Sequence, residues 1–345
     1  MSLKRSLRAG LHGLGGYGLY HRLRNRDRLT VAMFHRVLPQ ADPRFAESDP
    51  AYTVSLARFE DYLDFFARHY AVVDYADLAG RRPLPPRPLL ITFDDGWADT
   101  VEVALPALRR RGWNALVFVA GCAVGRARPF WQEELLGAVR GGRLTVERLA
   151  GAAAELLGER PPLPPGAGGL AAARSVVASL ERLNWATVED WVLALPELAG
   201  GGGAPAMADA ESLRAVAATG TTIGAHGHSH RPLTRVAPEQ ELARARSILE
   251  PIAAAGPTGA LDSFSFPHGL YDAAAVAAVR RDGYRFLFTS DAHLNAAEPG
   301  TLEQGLIGRI AVGGETATLP APALPEGRLS SSERANWFFN RPPAP

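Results

Sequence analysis

The chain has little cysteine, almost no excess of charge and no long apolar run in its 345 residues. Its one cysteine, Cys122, excludes an internal disulfide and a zinc site built from several thiolates. A net charge of +1 gives no general attraction to nucleic acid, so we expect no nucleic-acid partner. No stretch reaches the roughly 18 consecutive apolar residues of a transmembrane helix. With 47% hydrophobic residues, the composition is typical of a globular protein.

Residues 1–28 are strongly basic and contain a single acid, Asp27. Leucines at positions 3, 7, 11 and 14 recur at helical spacing and predict an amphipathic helix. This helix either rests on an anionic membrane surface or packs on the domain with a solvated basic edge. Since the segment lacks the apolar core and cleavage site of a signal peptide, we expect a cytoplasmic protein. Any membrane contact would then be peripheral, at the inner face of the membrane.

Residues 29–318 alternate short apolar strands with amphipathic helices. Strand-like runs at 29–34, 89–93 and 115–120 enclose helical patterns, which predicts parallel strands joined by crossover helices. From about 130 to 213 the sequence is rich in alanine and leucine and has no strand signal, so we interpret it as a helical insertion. The proline-rich residues 319–345 are predicted to be a loosely attached tail.

Two carboxylates follow the most strand-like run of the chain. Residues 89–93 lead directly into Asp94, Asp95 and Gly96. Active sites of α/β proteins form at the carboxyl ends of strands, and two adjacent carboxylates there need a cation or protons to compensate them. An ordinary Asp-Asp-Gly turn is the alternative interpretation.

A histidine cluster follows another predicted strand, at 221–225. His226 and His230 are four residues apart, a spacing that lets two imidazoles bind one ion, whereas His228 is expected to be exposed or supporting. Together with a carboxylate of the Asp pair, two histidines would leave open positions for water and substrate, as a hydrolytic metal requires.

Three motifs occur in the order found in NodB-type polysaccharide deacetylases (carbohydrate esterase family 4), which this chain resembles. They are Thr92-Phe93-Asp94-Asp95-Gly96, then His226-x-x-x-His230, then Phe266-Pro267-His268-Gly269. The resemblance covers about 30–312, apart from the insertion. It implies a distorted (β/α) barrel of about seven parallel strands.

The resemblance also implies roles for individual residues. Asp95, His226 and His230 would bind one divalent metal ion, usually Zn²⁺, and Asp94 would be the general base. The backbone N–H of His268 would stabilise the oxyanion, although the family usually has tyrosine at this position. No arginine occurs shortly before Pro267 to steady Asp94, so Arg309 is the proposed substitute.

The general acid of the family is usually a late histidine, but here no histidine follows His293. His35, directly after the predicted strand 29–34, resembles the acid of a branch with permuted strand order. A buried structural histidine is the alternative. Trp97 and Trp131 could stack on a sugar, or could simply pack in the core.

The function implied is removal of N-acetyl groups from an amino sugar in a glycan or glycan precursor, with an N-acetylated sugar as substrate. Two alternatives stay open. One is a metal-dependent amidase or deformylase acting on a non-polymeric substrate, and the other is a catalytically silent member that binds glycan. A phosphoryl-transfer function is disfavoured because no glycine-rich phosphate loop accompanies the Asp pair.

If the basic segment is a membrane anchor, a chain beginning at Leu29 should leave the membrane fraction and keep its fold. High salt should likewise release the full-length protein, because the attraction is electrostatic and screened by ions. The full-length and the shortened protein are expressed separately, and cell fractionation measures the share of each in the membrane fraction. Circular dichroism shows whether the shortened protein is folded. Unfolding of the shortened chain would favour the packing interpretation instead.

Overall fold

The computed structural model describes residues 25–164, 166, 169–198, 206–298 and 300–312. The proline-rich tail and the basic segment up to residue 24 lie outside this part. Asn25 is buried and donates a hydrogen bond to Tyr70, and the carbonyl of Arg26 accepts one from Arg87. The contacts of the barrel therefore begin before Leu29, and a truncation starting at Asn25 preserves them in the membrane test.

Most of the strands are short apolar runs, and the longest of them begin the barrel. The strands are β1 Arg28–Phe34, β2 Arg36–Leu38, β3 Thr53–Ser55, β4 Ala71–Val72, β5 Pro88–Phe93, β6 Leu116–Val119, β7 Thr222–Ala225, β8 Ser263–Ser265, β9 Phe286–Phe288, β10 Asn295–Ala296, β11 Leu306–Ile307 and β12 Ile310–Ala311.

The helices begin at polar caps in several cases; Ser55, for example, accepts a hydrogen bond from the N–H of Arg58. The α-helices are α1 Pro43–Ala46, α2 Leu56–His69, α3 Tyr75–Ala79, α4 Leu105–Arg109, α5 Trp131–Arg140, α6 Val146–Leu157, α7 Gly169–Leu180, α8 Trp185–Ala194, α9 Ala210–Ala218, α10 Pro238–Ala253 and α11 Ala273–Arg281. A π-helix, Thr100–Ala104, runs directly into α4.

The main sheet is mostly parallel and has the order β10-β1-β5-β6-β7-β8-β9-β11. Its last strands return to the first: β11 pairs with β9, and β12, two residues further on, pairs with β1. Residues 306–312 thus contain two short strands, which Gly308 and Arg309 separate. The sheet is nearly closed, which confirms the predicted distorted barrel.

Side chains of the barrel strands alternate between two apolar clusters. In β5, Leu89, Ile91 and Phe93 pack outward against the helices, whereas Leu90 belongs to a second cluster inside the barrel. Successive side chains of a strand point to opposite faces, so Leu90, Thr92 and then Asp94 point inward. The interior is thus apolar at one end and polar where the strands end.

The connection between the paired strands β6 and β7 contains five of the described α-helices, α5 to α9. Four of them, α5 to α8, contribute to a separate cluster of buried apolar side chains that includes Leu135, Val176 and Val188. None of the helices in the described part of the chain is long and apolar enough to cross a membrane.

Gly224 in β7 tests how tightly the barrel interior is packed. A Cβ atom at this position would lie 2.6 Å from Cδ1 of Phe118 and 2.6 Å from Oγ of Ser263. Gly224→Ala should therefore lower the free energy of unfolding by about 1–3 kcal/mol, because the added methyl group overpacks the core. Urea unfolding midpoints measure this difference.

The matched control is Gly151 in α6, where a Cβ would meet no atom within 4 Å. Gly151→Ala should raise stability by about 0.5–1 kcal/mol, because alanine favours the helical backbone. A Gly224→Ala protein as stable as the unsubstituted protein would contradict the close packing of Phe118 and Ser263 against Gly224.

Candidate metal centre and active site

The alternation of the barrel strands places three predicted site residues at the same polar end. His35 follows β1, Asp94 follows β5 and His226 follows β7, each at an inward-facing position. β1 and β5 are neighbours in register, and the N–H of Asp94 donates to the carbonyl of Phe34. His35 and Asp94 are therefore side by side at two adjacent strand ends.

Asp95, His226 and His230 form a compact group whose possible ligand atoms all lie within 4.8 Å of one another. Oδ1 of Asp95 is 3.5 Å from Nε2 of His226 and 3.1 Å from Nε2 of His230. Asp95 and His226 are buried, and His230 is partly exposed. Of the three side chains, that of His230 is the most exposed, at 12%.

The chemistry of this group fits a divalent cation. Nδ1 of His226 is 2.8 Å from the carbonyl oxygen of Ser265, so it carries the proton and leaves a lone pair on Nε2. Burial, which outweighs the attraction of Asp94 and Asp95, lowers the pKa of His226 to about 4, so the ring is neutral at pH 7. A lone pair directed at a carboxylate oxygen is repulsive unless a cation lies between them, and two histidines with one carboxylate are a common zinc ligand set.

Three of these side chains sit on unusual backbone. Asp95 has φ 80°, His230 has φ 61° and His268 has φ 58°, all in the left-handed region. For residues other than glycine this conformation costs roughly 1–2 kcal/mol each. Gly96 continues the turn with φ 90° at no such cost. The strained turns direct Asp95 and His230 toward each other.

Asp94 is held by a fully buried arginine. Nη1 and Nη2 of Arg309 lie 2.6 and 2.8 Å from the two carboxylate oxygens of Asp94. Arg309 also donates from Nη2 to Oγ of Ser265 at 2.8 Å and from Nε to the carbonyl of Thr289 at 3.0 Å. The guanidinium therefore joins groups from three strand ends and fixes the plane of the Asp94 carboxylate.

Both carboxylates are ionised at neutral pH. Burial raises the pKa of Asp94, but the positive charge of Arg309, followed by His226, outweighs it, and the pKa is lowered. For Asp95, burial is likewise outweighed, here by the interaction with His230, and its pKa falls well below the usual range. His35 also contributes to the lowering of the pKa in both cases.

His35 and His268 are two further histidines near this group. The ring of His35 packs 4.9 Å from that of Tyr52, a residue that is 54% exposed. The ring of His268 lies 4.7 Å from that of His230, and its Nε2 is 3.1 Å from the carbonyl oxygen of His230. His268 is exposed and His35 is partly exposed.

The two tryptophans do not offer a surface to a sugar. Trp97 is 3% exposed and Trp131 is 1% exposed, so the prediction that they stack on substrate is corrected in favour of core packing. Trp97 donates a hydrogen bond to Asp95, whereas Trp131 packs edge to face against Trp185. His228 does not belong to the group of Asp95, His226 and His230. Its side chain lies beside Gly121, with Nδ1 2.8 Å from the position that a Cβ of that glycine would occupy.

Two residues of the site were missed by the sequence reasoning. Ser265 contacts Arg309 through its hydroxyl and His226 through its carbonyl, and Phe130 stacks on His230 at 4.2 Å. The alternation Ser263-Phe264-Ser265-Phe266 marks serine as the inward side of β8 and could have identified Ser265. Nothing near Phe130 in the sequence indicates its partner, because the contact joins distant segments.

Comparison with solved structures supports the same architecture. IcaB from Ammonifex degensii is 20% identical, with a TM-score of 0.53 over 91% of this chain and 97% of that one. A polysaccharide deacetylase from Bacillus cereus is 14% identical, with a TM-score of 0.51 over 84% of this chain and 66% of that one. A de-N-acetylase from Aggregatibacter actinomycetemcomitans is 14% identical, with a TM-score of 0.50 over 84% and 97%. At these identities the likeness establishes the fold.

No curated protein matches the sequence. A family model described as polysaccharide deacetylase matches residues 81–152 and 184–287, which is just over half of the chain. The matched residues include the turn that carries Asp94 and Asp95, the histidine pair and the turn at His268. The chain therefore belongs to the polysaccharide deacetylase family.

Proposed function

We propose that the protein is a metal-dependent deacetylase that removes N-acetyl groups from an amino sugar in a glycan or glycan precursor. The observation that carries this proposal is the juxtaposition of two differently held carboxylates. Asp95 faces two histidine nitrogens, while Asp94, its neighbour in sequence, is held by Arg309. One carboxylate is thus placed to bind a cation, and the other to exchange a proton.

Asp95, His226 and His230 would hold the ion, which we expect to be Zn²⁺. When bound, it supplies positive charge that polarises an amide carbonyl and makes water more acidic. The neutral state of His226 and the ionised state of Asp95 are the forms that bind metal, so these two residues need no change of protonation near pH 7.

Asp94 would act as the general base. Its carboxylate is ionised, and Arg309 fixes its orientation, so it can accept a proton from a water molecule that attacks the acetyl carbon. The backbone N–H of His268 would donate to the oxyanion that develops on the former carbonyl oxygen.

His35 would act as the general acid. It follows β1 beside Asp94 at the neighbouring strand end and is partly exposed, as a residue that meets a leaving amino sugar must be. Protonated, it can deliver its proton to the leaving nitrogen and so prevent the amine from returning to the acyl carbon. The base and the acid thus come from neighbouring strands and act on opposite ends of one bond.

The substrate class is tested by measuring acetate release. The purified protein is incubated with N-acetylated sugar nucleotides, lipid-linked oligosaccharides carrying N-acetyl groups, and polymeric N-acetylated glycans. Release of acetate from at least one of these classes is expected. Release only from simple non-sugar amides or formamides would overturn the proposed substrate and favour the amidase function.

The metal site is tested by substitution of its ligands. The purified protein should contain a single divalent metal ion, and Asp95→Ala, His226→Ala and His230→Ala should each remove it, because three ligands cannot be reduced to two without large loss of affinity. Elemental analysis of the folded proteins measures this. His228→Ala is the control and should retain the metal; an unchanged metal content in all three ligand variants would refute the site.

The roles of Asp94 and His35 are tested with two leaving groups. Asp94→Asn should nearly abolish deacetylation, and His35→Ala should reduce it by about 10²- to 10⁴-fold, the usual contribution of a general acid or base. Both variants should keep the metal, because neither residue is a proposed ligand. Melting curves control for the loss of the Arg309 ion pair in Asp94→Asn.

An activated aryl acetate needs no protonation of its leaving group. It should therefore restore turnover to His35→Ala but not to Asp94→Asn. Wild-type turnover of the sugar substrate by His35→Ala would assign the acid to another residue, of which His268 is the nearest candidate.

A further inference from the structure

Trp97, two residues after Asp95, contacts the carboxylate on the side away from the histidines. Its buried indole donates a hydrogen bond from Nε1 to Oδ2 of Asp95 at 2.9 Å. The other oxygen, Oδ1, faces Nε2 of His226 and of His230. The two oxygens therefore have different partners, and the indole N–H determines which oxygen is turned toward the histidines.

The indole itself is held by a buried charge network. The guanidinium of Arg36 lies 4.3 Å from the centre of the Trp97 ring, in the geometry of a cation–π contact. Arg36 forms ion pairs with Asp99 at 2.9 Å and with Glu133 at 3.2 Å, and all three charged side chains are buried. Since Glu133 belongs to α5, the indole is fixed between the barrel and the helices that follow β6.

The edge of the same indole meets the ring of Phe130. The two rings are perpendicular, at 89°, with centres 5.9 Å apart. Phe130 in turn stacks on His230, with the ring centres 4.2 Å apart and the planes at 25°. Within the described part of the chain, Nδ1 of His230 is buried and has no hydrogen-bond partner. On the side of Nδ1, aromatic packing by Phe130 therefore holds the His230 ring, while Nε2 faces Asp95.

We propose that Trp97 is a positioning residue for the metal site. Its N–H holds Asp95 with Oδ1 directed at the two histidines, so the three ligand atoms converge before any ion arrives. Without this hydrogen bond the Asp95 carboxylate can rotate. The ion would then have to fix its orientation on binding, which makes the free energy of metal binding less favourable. Groups that orient metal ligands typically contribute 10- to 100-fold to metal affinity. The inference rests on the proposed metal-dependent function.

The test replaces the N–H without changing the shape of the ring. Site-specific incorporation of β-(3-benzothienyl)alanine at position 97 puts sulfur in place of the indole N–H and keeps the aromatic surface. The dissociation constant for Zn²⁺ is measured by competition with a chromophoric chelator. We expect affinity to fall about 10- to 100-fold, with activity restored at saturating Zn²⁺.

The matched control is the same replacement at position 131. Trp131 is also buried, but its Nε1 has no hydrogen-bond partner among the described residues. Zn²⁺ affinity should therefore stay unchanged there. Trp97→Phe is a second variant with the N–H removed, and it should show the same loss of affinity at a temperature where its melting curve indicates a folded protein.

Wild-type Zn²⁺ affinity in the position-97 proteins would overturn the inference while leaving the proposed function intact. An equal loss at position 131 would overturn it as well, because the effect would then come from general packing. If the unmodified protein itself binds no Zn²⁺, the proposed metal site fails, and the role of Trp97 fails with it.

Discussion

The bidentate ion pair between Arg309 and Asp94 links the closure of the barrel to its candidate chemistry. Arg309 lies between the two short strands that join the end of the sheet to its beginning, and it is fully buried. Removing one partner of a buried ion pair typically costs about 3–5 kcal/mol, because the other charge is left without compensation. The residues that close the barrel therefore also fix the carboxylate proposed as the base.

This arrangement explains why the two adjacent carboxylates differ. Asp94 points into the barrel and has an arginine as its partner, so its charge is already balanced. Asp95 lies after the change of backbone direction and faces two imidazoles, of which His226 is neutral at pH 7. A cation at the proposed metal site would balance its charge. One strand end thus provides two carboxylates with separate environments.

Much of the site could be predicted from sequence because it follows local rules. The apolar run before Asp94 is typical of a buried strand. Because side chains alternate between the two faces of a strand, Asp94, His226 and His35 point inward once the strands are known. Arg309 was predicted to steady Asp94 because no arginine occurs shortly before Pro267, and not because of a motif around Arg309. Its actual contact with Asp94 depends on how the sheet closes.

What could not be predicted is the burial of the aromatic residues. Trp97 and Trp131 are of a residue type that often stacks on sugars. Whether an indole is exposed to solvent, however, depends on the helices packed over it. Phe130 and Arg36 reach the site from segments whose separation in sequence carries no signal of contact. Such tertiary contacts override what residue type alone suggests.

The left-handed backbone at Asp95 and His230 affects which substitutions would accumulate during evolution. Of the five described non-glycine residues with positive φ, three lie at the candidate site, at Asp95, His230 and His268. Glycine or asparagine would relax each of these positions by roughly 1 kcal/mol. A descendant of this protein under selection for folding alone would therefore gain stability by substitutions at the candidate site, and would lose these residues before it lost the barrel.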